Sequence, residues 1–172
     1  MIIDKAWRDL TVFLTKNNPS LLQELNPPAS DAEIEDLEQT IEHQLPLEVK
    51  RYLKCHNGQR GIENNIFDIF LLSTYDMINE WKIWRNLLQE GMFSDMEASP
   101  DKEIDNTWWN KNWLPFTNDG RGNHTCIDFS PTMTGNYGQI IEIWHDDPER
   151  KILYPCFSKW FIEKVQTLIK GH

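Results

Sequence analysis

Apolar residues recur at helical spacing in several stretches of the chain, and each stretch predicts an amphipathic helix. One of these apolar stripes follows Ser30. Ser30 stands three residues before Glu33, which is the spacing of a capping box. Pro46 opens the next helix, and Asn57-Gly58 is a typical helix end. The predicted helical ranges are 2–15, a short turn or helix at 21–25, 30–45, 46–56, 74–90 and 158–169, the last capped by Ser158.

Runs of β-prone residues predict five strands between and after these helices. Residues 65–72 are mostly apolar and predict a central strand. Pro115 has no N–H to donate, so a strand over 113–116 is expected at a sheet edge or a strand end. Residues 138–144 carry apolar side chains on both parities, which is typical of a strand buried on both faces. The remaining two strands are predicted at 125–129 and 151–154.

The stretch 113–129 contains a tight polar turn between two apolar segments, and the rest of the chain is expected to be organised around it. Its turn, Asn118-Asp119-Gly120-Arg121-Gly122-Asn123, combines two glycines with three Asx residues. This composition predicts a turn that needs positive φ angles.

This stretch resembles the central signature of the Smi/Knr-like family of the SUKH superfamily, which includes fungal cell-wall-assembly regulators and many bacterial immunity proteins. The resemblance covers roughly residues 26–168 and includes Pro-Pro-Ala-Ser-x-x-Glu-Ile, Leu-Pro-x-x-Val-Lys-x-Tyr-Leu and Phe-x-x-Trp-Phe. The chain departs from the family pattern in its acidic segment before Trp113 and its extra N-terminal helix. The residues that carry the structural signature are Trp113, Pro115, Asp119, Gly120, Gly122, Asn123, Asp128, Gly138 and Trp160.

The element order and the short connections between strands favour an α+β fold. We expect a single antiparallel or mixed sheet of about four to six strands, with helices packed on one face. The resemblance implies the same SUKH-like architecture. Residues 1–25 are predicted to be an N-terminal helical extension and residues 26–172 a SUKH domain, together forming one globular unit.

The net charge of −10 argues against nucleic-acid binding and against anionic membranes, because both need a basic surface. Three cysteines at unrelated spacings imply no disulfide framework, and no signal peptide or membrane span is evident. A cytoplasmic protein is therefore expected.

The chain shows none of the common nucleophile, zinc-protease or phosphate-loop motifs, so no enzymatic activity, metal or cofactor is expected. His124 and Cys126 share one strand face and could ligate zinc with His145, His56 or Cys55, but their spacing does not require it. Packing is the expected role of Cys126 and Cys156. Asp128 is either solvated or hydrogen-bonded to a turn backbone. A cation site is also considered for Asp119, Asp128, Asp146 and Asp147, which do not match an EF-hand loop.

Residues 92–112 lack periodicity and predict a long, partly mobile loop. Its acidic side chains with two adjacent tryptophans are the candidate partner-binding site: Asp95, Glu97, Asp101, Glu103, Asp105, Trp108 and Trp109. The alternative is a solvated loop whose tryptophans belong to the core.

The resemblance and the acidic charge together predict a bacterial immunity protein that binds and neutralises a basic toxin domain of nuclease or deaminase type. One alternative is a regulatory scaffold of the cell-wall-assembly type, ranked lower because long disordered flanks accompany those domains and are not seen here. A further alternative is an uncharacterised enzyme or metal-binding protein.

Overall fold

A computed structural model describes residues 2–61 and 65–171 of the chain. The helices are α1 (Ile2–Asn17), α2 (Pro19–Gln23), α3 (Asp31–Ile41), α4 (Leu47–Cys55), α5 (Thr74–Gln89) and α6 (Phe157–Lys170). The strands are β1 (Phe70–Leu71), β2 (Ser99–Pro100), β3 (Trp113–Pro115), β4 (Thr117–Asn118), β5 (His124–Asp128), β6 (Gln139–Ile143) and β7 (Glu149–Tyr154). Among the described helices, none has both the length and the apolar character that crossing a bilayer requires.

Five of the strands form one mixed sheet in the order β2-β7-β6-β5-β3. The pairs β3–β5, β5–β6 and β6–β7 are antiparallel, whereas β2 pairs with β7 in parallel. The predicted α+β fold with a sheet of this size is confirmed. Pro115 lies in β3 at the sheet edge, where a residue without an N–H is tolerated, so this prediction is also confirmed.

The two faces of the sheet are covered by different elements. Side chains alternate along β5, so Ile127 and its partner Ile140 face one side and Cys126 faces the other. On the side of Ile127 lies Phe116, whose ring centroid is 4.7 Å from that of Trp160 in α6. On the side of Cys126 lie α5 and the segment that precedes β3. Trp84 of α5 connects both to the sheet. Its ring centroid is 6.0 Å from that of His124 in β5 and 6.1 Å from that of Trp109 in the segment before β3.

Helix α1 shares the core with α4 and α6. The Trp7 indole N–H donates to the Tyr52 carbonyl over 3.2 Å, and its ring centroid lies 4.8 Å from that of Phe161. The division predicted after residue 25 stays a prediction. The ranges 1–25 and 26–172 also include Met1, 62–64 and His172, which lie outside the described residues.

The predicted central strand over 65–72 is wrong. Only Phe70–Leu71 is extended, and it pairs with β4 in a separate two-stranded sheet. Asp68 has a φ of +59°, which an extended strand cannot accommodate. Phe67 is buried against the rings of Trp160 and Phe161. Phe67 is therefore used for packing against α6, and only the end of the apolar run joins a ladder.

The start of α3 was predicted correctly and the start of α6 was not. The Ser30 hydroxyl accepts from the Glu33 N–H, and the Glu33 carboxylate accepts from the Ser30 N–H, which completes the capping box. At α6 the N-cap residue is Cys156, and the backbone N–H of Ser158 donates to the Glu48 carboxylate. Ser158 is thus inside the helix, where its N–H is satisfied by α4.

Candidate functional site

The turn at 118–123 is held together by one carboxylate. Asp119 accepts hydrogen bonds from the N–H groups of Arg121 and Asn123 at 2.7 and 3.1 Å and from the Asn123 amide at 2.7 Å. Partial burial opposes its ionisation, but these hydrogen bonds together hold the pKa of Asp119 below its usual value. Gly120 and Gly122 adopt φ angles of +77° and +91°, as their place in the turn predicts.

The same turn is fastened to two neighbouring elements. The Asn123 side-chain oxygen accepts the backbone N–H of His145 over 3.1 Å, which ties the turn to the connection between β6 and β7. The Asn118 amide donates to the Glu80 carboxylate of α5 over 3.0 Å. The turn therefore fixes the relative positions of α5 and the β6–β7 connection.

Three of the other signature residues, Trp113, Asp128 and Gly138, lie together at the opposite end of β5. Trp113 is the register partner of Asp128, and the N–H of Gly138 donates to the Asp128 carbonyl over 2.7 Å. The Asp128 carboxylate is fully buried and accepts from the Ser130 N–H and the Gln139 amide, both at 2.9 Å. Burial raises the pKa of Asp128 against the effect of these donors. Of the two roles considered for Asp128, the structure shows the bond to a turn backbone.

His124 is buried, and both ring nitrogens face polar groups. Nδ1 lies 2.8 Å from the Thr117 carbonyl, to which it donates, and Nε2 lies 3.5 Å from a Glu80 oxygen. Burial lowers the pKa of His124, although the carbonyl and Glu80 oppose this shift. The ring is therefore held in its neutral form in the folded protein.

We expect His124→Gln to reduce the loss of stability on acidification. Histidine has an ordinary pKa of about 6.5, and the pKa of folded His124 is lower. As pH falls below about 6.5, the unfolded chain therefore binds more protons at this position than the folded chain does, until the pH also passes the lower pKa of the folded chain. The free energy of unfolding should thus decrease by up to about 1.4 kcal/mol per pH unit from this residue. Urea unfolding between pH 7 and pH 5.5 measures the slope.

The matched control for this variant is His145→Gln, because the His145 side chain is half exposed. The control should keep the slope of the unmodified chain. An identical slope for the unmodified chain and for His124→Gln would contradict the assignment to His124.

Cys126 is buried beside His124 on the strand. Burial raises the pKa of its thiol well above the usual range, so the sulfur stays protonated at neutral pH. Within residues 2–61 and 65–171, no group of three or more His, Cys, Asp or Glu side chains is arranged to hold a metal ion. This applies to both the His/Cys set and the four aspartates considered from the sequence.

The segment 92–112 is attached to the sheet. The N–H of Asp101 donates to the Arg150 carbonyl, and its carboxylate accepts the N–H of Ile152, both at 2.8 Å. Asp105 accepts from the Asn110 amide, and the Glu103 carbonyl accepts from Gln139. Three of the predicted partner-binding acids thus also have positioning contacts within the chain.

The remaining predicted contact residues divide into exposed and buried ones. Asp95 and Glu97 are exposed. Trp109 is 2% exposed and packs on Trp84, so its ring belongs to the core. Trp108 is half-buried, and its ring lies 4.7 Å from the Arg150 guanidinium carbon.

Arg150 is fully buried and joins two distant segments through their carbonyl groups. Its Nε and Nη2 donate to the Trp108 carbonyl at 3.0 and 2.7 Å. Its Nη1 donates to the carbonyls of Trp144, Asp147 and Glu149. Burial lowers the pKa of Arg150 to about 10, so the guanidinium remains charged at neutral pH. The buried Arg150 side chain therefore fixes the backbone conformation of the turn 144–149.

Above this turn lies an acidic surface around an exposed indole, which we call the Trp144 face. Trp144 is 47% exposed, although it follows the buried Ile143. It lines a hollow of about 190 Å³, large enough for one side chain, whose other lining residues are Glu142, Asp147, Glu149 and Lys151. Lys151 forms an ion pair with Glu149 at 2.5 Å, and three carboxylates therefore face a single ammonium group.

Neighbouring segments extend the Trp144 face. Trp144 and Glu142 share a second hollow of about 90 Å³ with Asp119 and Asn123 of the turn. On the other side of this face, the N–H of Ser99 donates to the Pro148 carbonyl. The acidic segment around Glu97 and Asp101 therefore lies next to the turn 144–149. The predicted acidic segment and the signature turn thus border the same surface.

Sequence reasoning missed Trp144 and Arg150. Alternation along the strand could have indicated that Trp144 is exposed. In an extended segment Trp144 points to the same face as the charged Glu142 and away from the face of Ile143. Arg150 stands among charged residues in Pro-Glu-Arg-Lys and has no local signal of burial.

Comparison with known proteins identifies similar chains. The family model described as the SMI1 / KNR4 family (SUKH-1) matches residues 28–163. The chain is 23% identical to the cell wall assembly regulator SMI1 of Saccharomyces cerevisiae, over 97% of this chain and 40% of that protein. It is 25% identical to the glucan synthesis regulatory protein of Neurospora crassa, over 98% of this chain and 39% of that protein. It is also 25% identical to the cell wall biosynthesis/cell cycle regulator smi1 of Schizosaccharomyces pombe, over 88% of this chain and 33% of that protein.

The prediction of a bacterial toxin–antitoxin protein is wrong. The curated relatives are fungal, and those with descriptive names are regulators of the cell wall, of glucan synthesis or of the cell cycle. The resemblance to the family is confirmed, but the branch chosen within it is not. The chain spans two fifths or less of the length of these three relatives. The cytoplasmic location stays a prediction.

Proposed function

The chain belongs to the SMI1 / KNR4 family (SUKH-1), and from this premise we propose that it is a non-enzymatic protein-binding module of a cell-wall-assembly regulator. The proposal rests on the Trp144 face, where a half-exposed indole stands among carboxylates on a turn fixed by a buried arginine. The names of the curated relatives support the regulatory role.

Four of the described groups that were considered for chemistry are engaged in the scaffold. The His124 ring is buried and neutral, and the Cys126 thiol is protonated. The carboxylates of Asp119 and Asp128 accept hydrogen bonds from their own turns. These contacts stabilise the loops that carry the Trp144 face, which suits a protein that binds and does not catalyse.

The partner should present lysine or arginine side chains to the Trp144 face. An exposed indole attracts a cation at its ring face, and adjacent carboxylates strengthen this attraction. Tryptophan is also among the residues that carry most of the binding energy at protein interfaces. A net charge of −10 would additionally accelerate encounter with a basic partner.

The acidic segment forms the rim of this proposed interface. Asp95 and Glu97 are free to contact a partner directly because they are exposed. Asp101 combines exposure with its bond to Ile152, so it would contribute charge while keeping its positioning role. Trp108 supports the face from the side through Arg150.

A chimera tests the proposed function. The segment of the Saccharomyces cerevisiae cell wall assembly regulator that this chain matches is replaced by this chain. Growth without osmotic support and wall glucan content are then measured. We expect the chimera to maintain wall assembly, and we expect charge reversal of the Trp144 face to abolish it. The reversed residues are Glu142, Asp147 and Glu149, each changed to Lys.

The control chimera carries the same change in charge at the exposed Glu35 and Asp36 of α3 and at Glu42, which follows this helix, and should remain active. An inactive chimera with the unmodified chain would contradict the regulatory role. Full activity of the chimera with a charge-reversed Trp144 face would contradict the docking surface.

A further inference from the structure

Helices α1 and α6 form a groove near their C-terminal ends. Their N-terminal halves meet where Trp7 contacts Phe161. Beyond this contact lies a hollow of about 640 Å³, a size typical of sites that hold several side chains. The lining residues are Asp9, Val12, Phe13, Lys16, Asn17, Gln166, Ile169 and Lys170.

The centre of this α1–α6 groove is apolar and exposed. Val12 is 71% exposed and Ile169 is 37% exposed, and both line the groove with Phe13. Val12 lies in the interior of α1, where an amphipathic helix would ordinarily place a polar residue on its outer face. The groove therefore presents aliphatic surface that the fold itself does not need.

The two helices that form the α1–α6 groove carry a net charge opposite in sign to that of the whole chain. α1 and α6 together contain six Lys or Arg residues and three Asp or Glu residues, in a chain of net charge −10. Lys16 and Lys170 belong to the groove lining. The carboxylate of Asp9 is paired with Lys5 at 2.6 Å, so it neutralises neither of the two lining lysines. The groove thus combines an apolar floor with a basic rim.

All eight lining residues fall outside the part of the chain that the family model matches. That match covers residues 28–163, whereas the groove is built from residues 9–17 and 166–170. The groove therefore lies beyond both ends of the range that this model matches. It is also built from different elements than the Trp144 face.

We propose that the α1–α6 groove docks an amphipathic helix with acidic flanks from a partner protein. A helix lays its apolar stripe into a hydrophobic groove through residues spaced at i, i+3, i+4 and i+7. Val12, Phe13 and Ile169 contact this stripe. Lys16 and Lys170 pair with carboxylates beside it and exclude basic helices. This site accepts an acidic partner, whereas the Trp144 face accepts a basic one.

Two synthetic peptides test the proposal with the full chain. Each has about 14 residues, roughly four helical turns, and the same leucine stripe. One carries glutamates and the other lysines beside the stripe. The Trp144 face, which would bind the lysine peptide, is first removed by changing Glu142, Asp147 and Glu149 each to Lys. In that chain, fluorescence anisotropy should give a Kd at least about tenfold lower for the glutamate peptide. Lys16→Glu with Lys170→Glu should reverse this preference.

A second pair of variants tests the apolar floor. Val12→Ser with Ile169→Ser should raise the Kd of the glutamate peptide about tenfold, because two aliphatic contacts are lost. Ile83→Ser, an exposed apolar position on α5, is the control and should leave the Kd unchanged. Circular dichroism confirms that all variants are folded.

Three results would overturn the inference. The first is no binding of the glutamate peptide up to about 1 mM. The second is equal affinity for both peptides. The third is sedimentation showing that the chain alone forms dimers that Val12→Ser with Ile169→Ser dissociates, which would make a second copy the occupant. None of these results bears on the chimera test of the Trp144 face.

Discussion

Arg150→Met is expected to lower the free energy of unfolding by about 3–5 kcal/mol. Methionine has a similar length but donates no hydrogen bond. The carbonyls of Trp108, Trp144, Asp147 and Glu149 would all lose their guanidinium donor. Each buried acceptor left without a donor costs about 1–3 kcal/mol, reduced where water reaches it. Urea unfolding at pH 7 measures the difference.

The adjacent Lys151→Met is the matched control. The Lys151 side chain is 55% exposed and pairs with the exposed Glu149, so its removal should leave the free energy of unfolding nearly unchanged. Arg150→Lys should give an intermediate loss, since one ammonium group cannot reach both segments at once. A loss below about 1 kcal/mol for Arg150→Met would show that the buried guanidinium does not hold the two segments together.

Local patterns predict the parts of this fold that depend on neighbours in sequence. The capping box at Ser30 needs only Glu33, three residues away. The turn at 118–123 needs positive φ angles that its own glycines supply. Pro115 excludes a central position because of its own missing N–H. In each case the residue and its structural consequence lie within a few positions of each other.

The parts that the sequence did not predict depend on contacts between distant segments. The guanidinium of Arg150 meets the carbonyl of Trp108, and 42 positions separate them. Asn123 reaches His145 across 22 positions. Apolar periodicity records which residues are buried, but it does not record which buried polar groups meet.

The failed strand prediction has the same origin. Residues 65–72 have the composition of a strand, but Phe67 is packed against Trp160 and Phe161 of α6 and takes no place in a ladder. The positive φ of Asp68 is compatible with that packing and incompatible with an extended strand. The choice was decided by the position of α6, which follows about 90 residues later along the chain.

The candidate site shows most clearly that sequence patterns do not reveal which distant segments meet. The acidic segment was identified from composition, and its charges do border the Trp144 face. Its two tryptophans, however, lie in the core and beside Arg150. The exposed indole directly follows β6, and only the structure places it next to the acidic segment.

Trp144→Ala is expected to abolish the activity of the chimera while leaving the fold intact. Truncating a tryptophan at the centre of an interface commonly costs about 2–4 kcal/mol of binding free energy, which is roughly a 30- to 1000-fold rise in Kd. The side chain is half exposed in the unbound chain. Its contribution to stability should therefore be small, about 1 kcal/mol or less. Wall glucan content measures the activity, and urea unfolding measures the fold.

Tyr75→Ala is the control, because Tyr75 is an aromatic residue that is 71% exposed on α5 and lies outside the Trp144 face. It should keep full activity in the chimera. Arg150→Met should lose both stability and activity, whereas Trp144→Ala should lose activity alone. If Trp144→Ala unfolds the chain to the same extent as Arg150→Met, the indole is a structural support and not a docking residue.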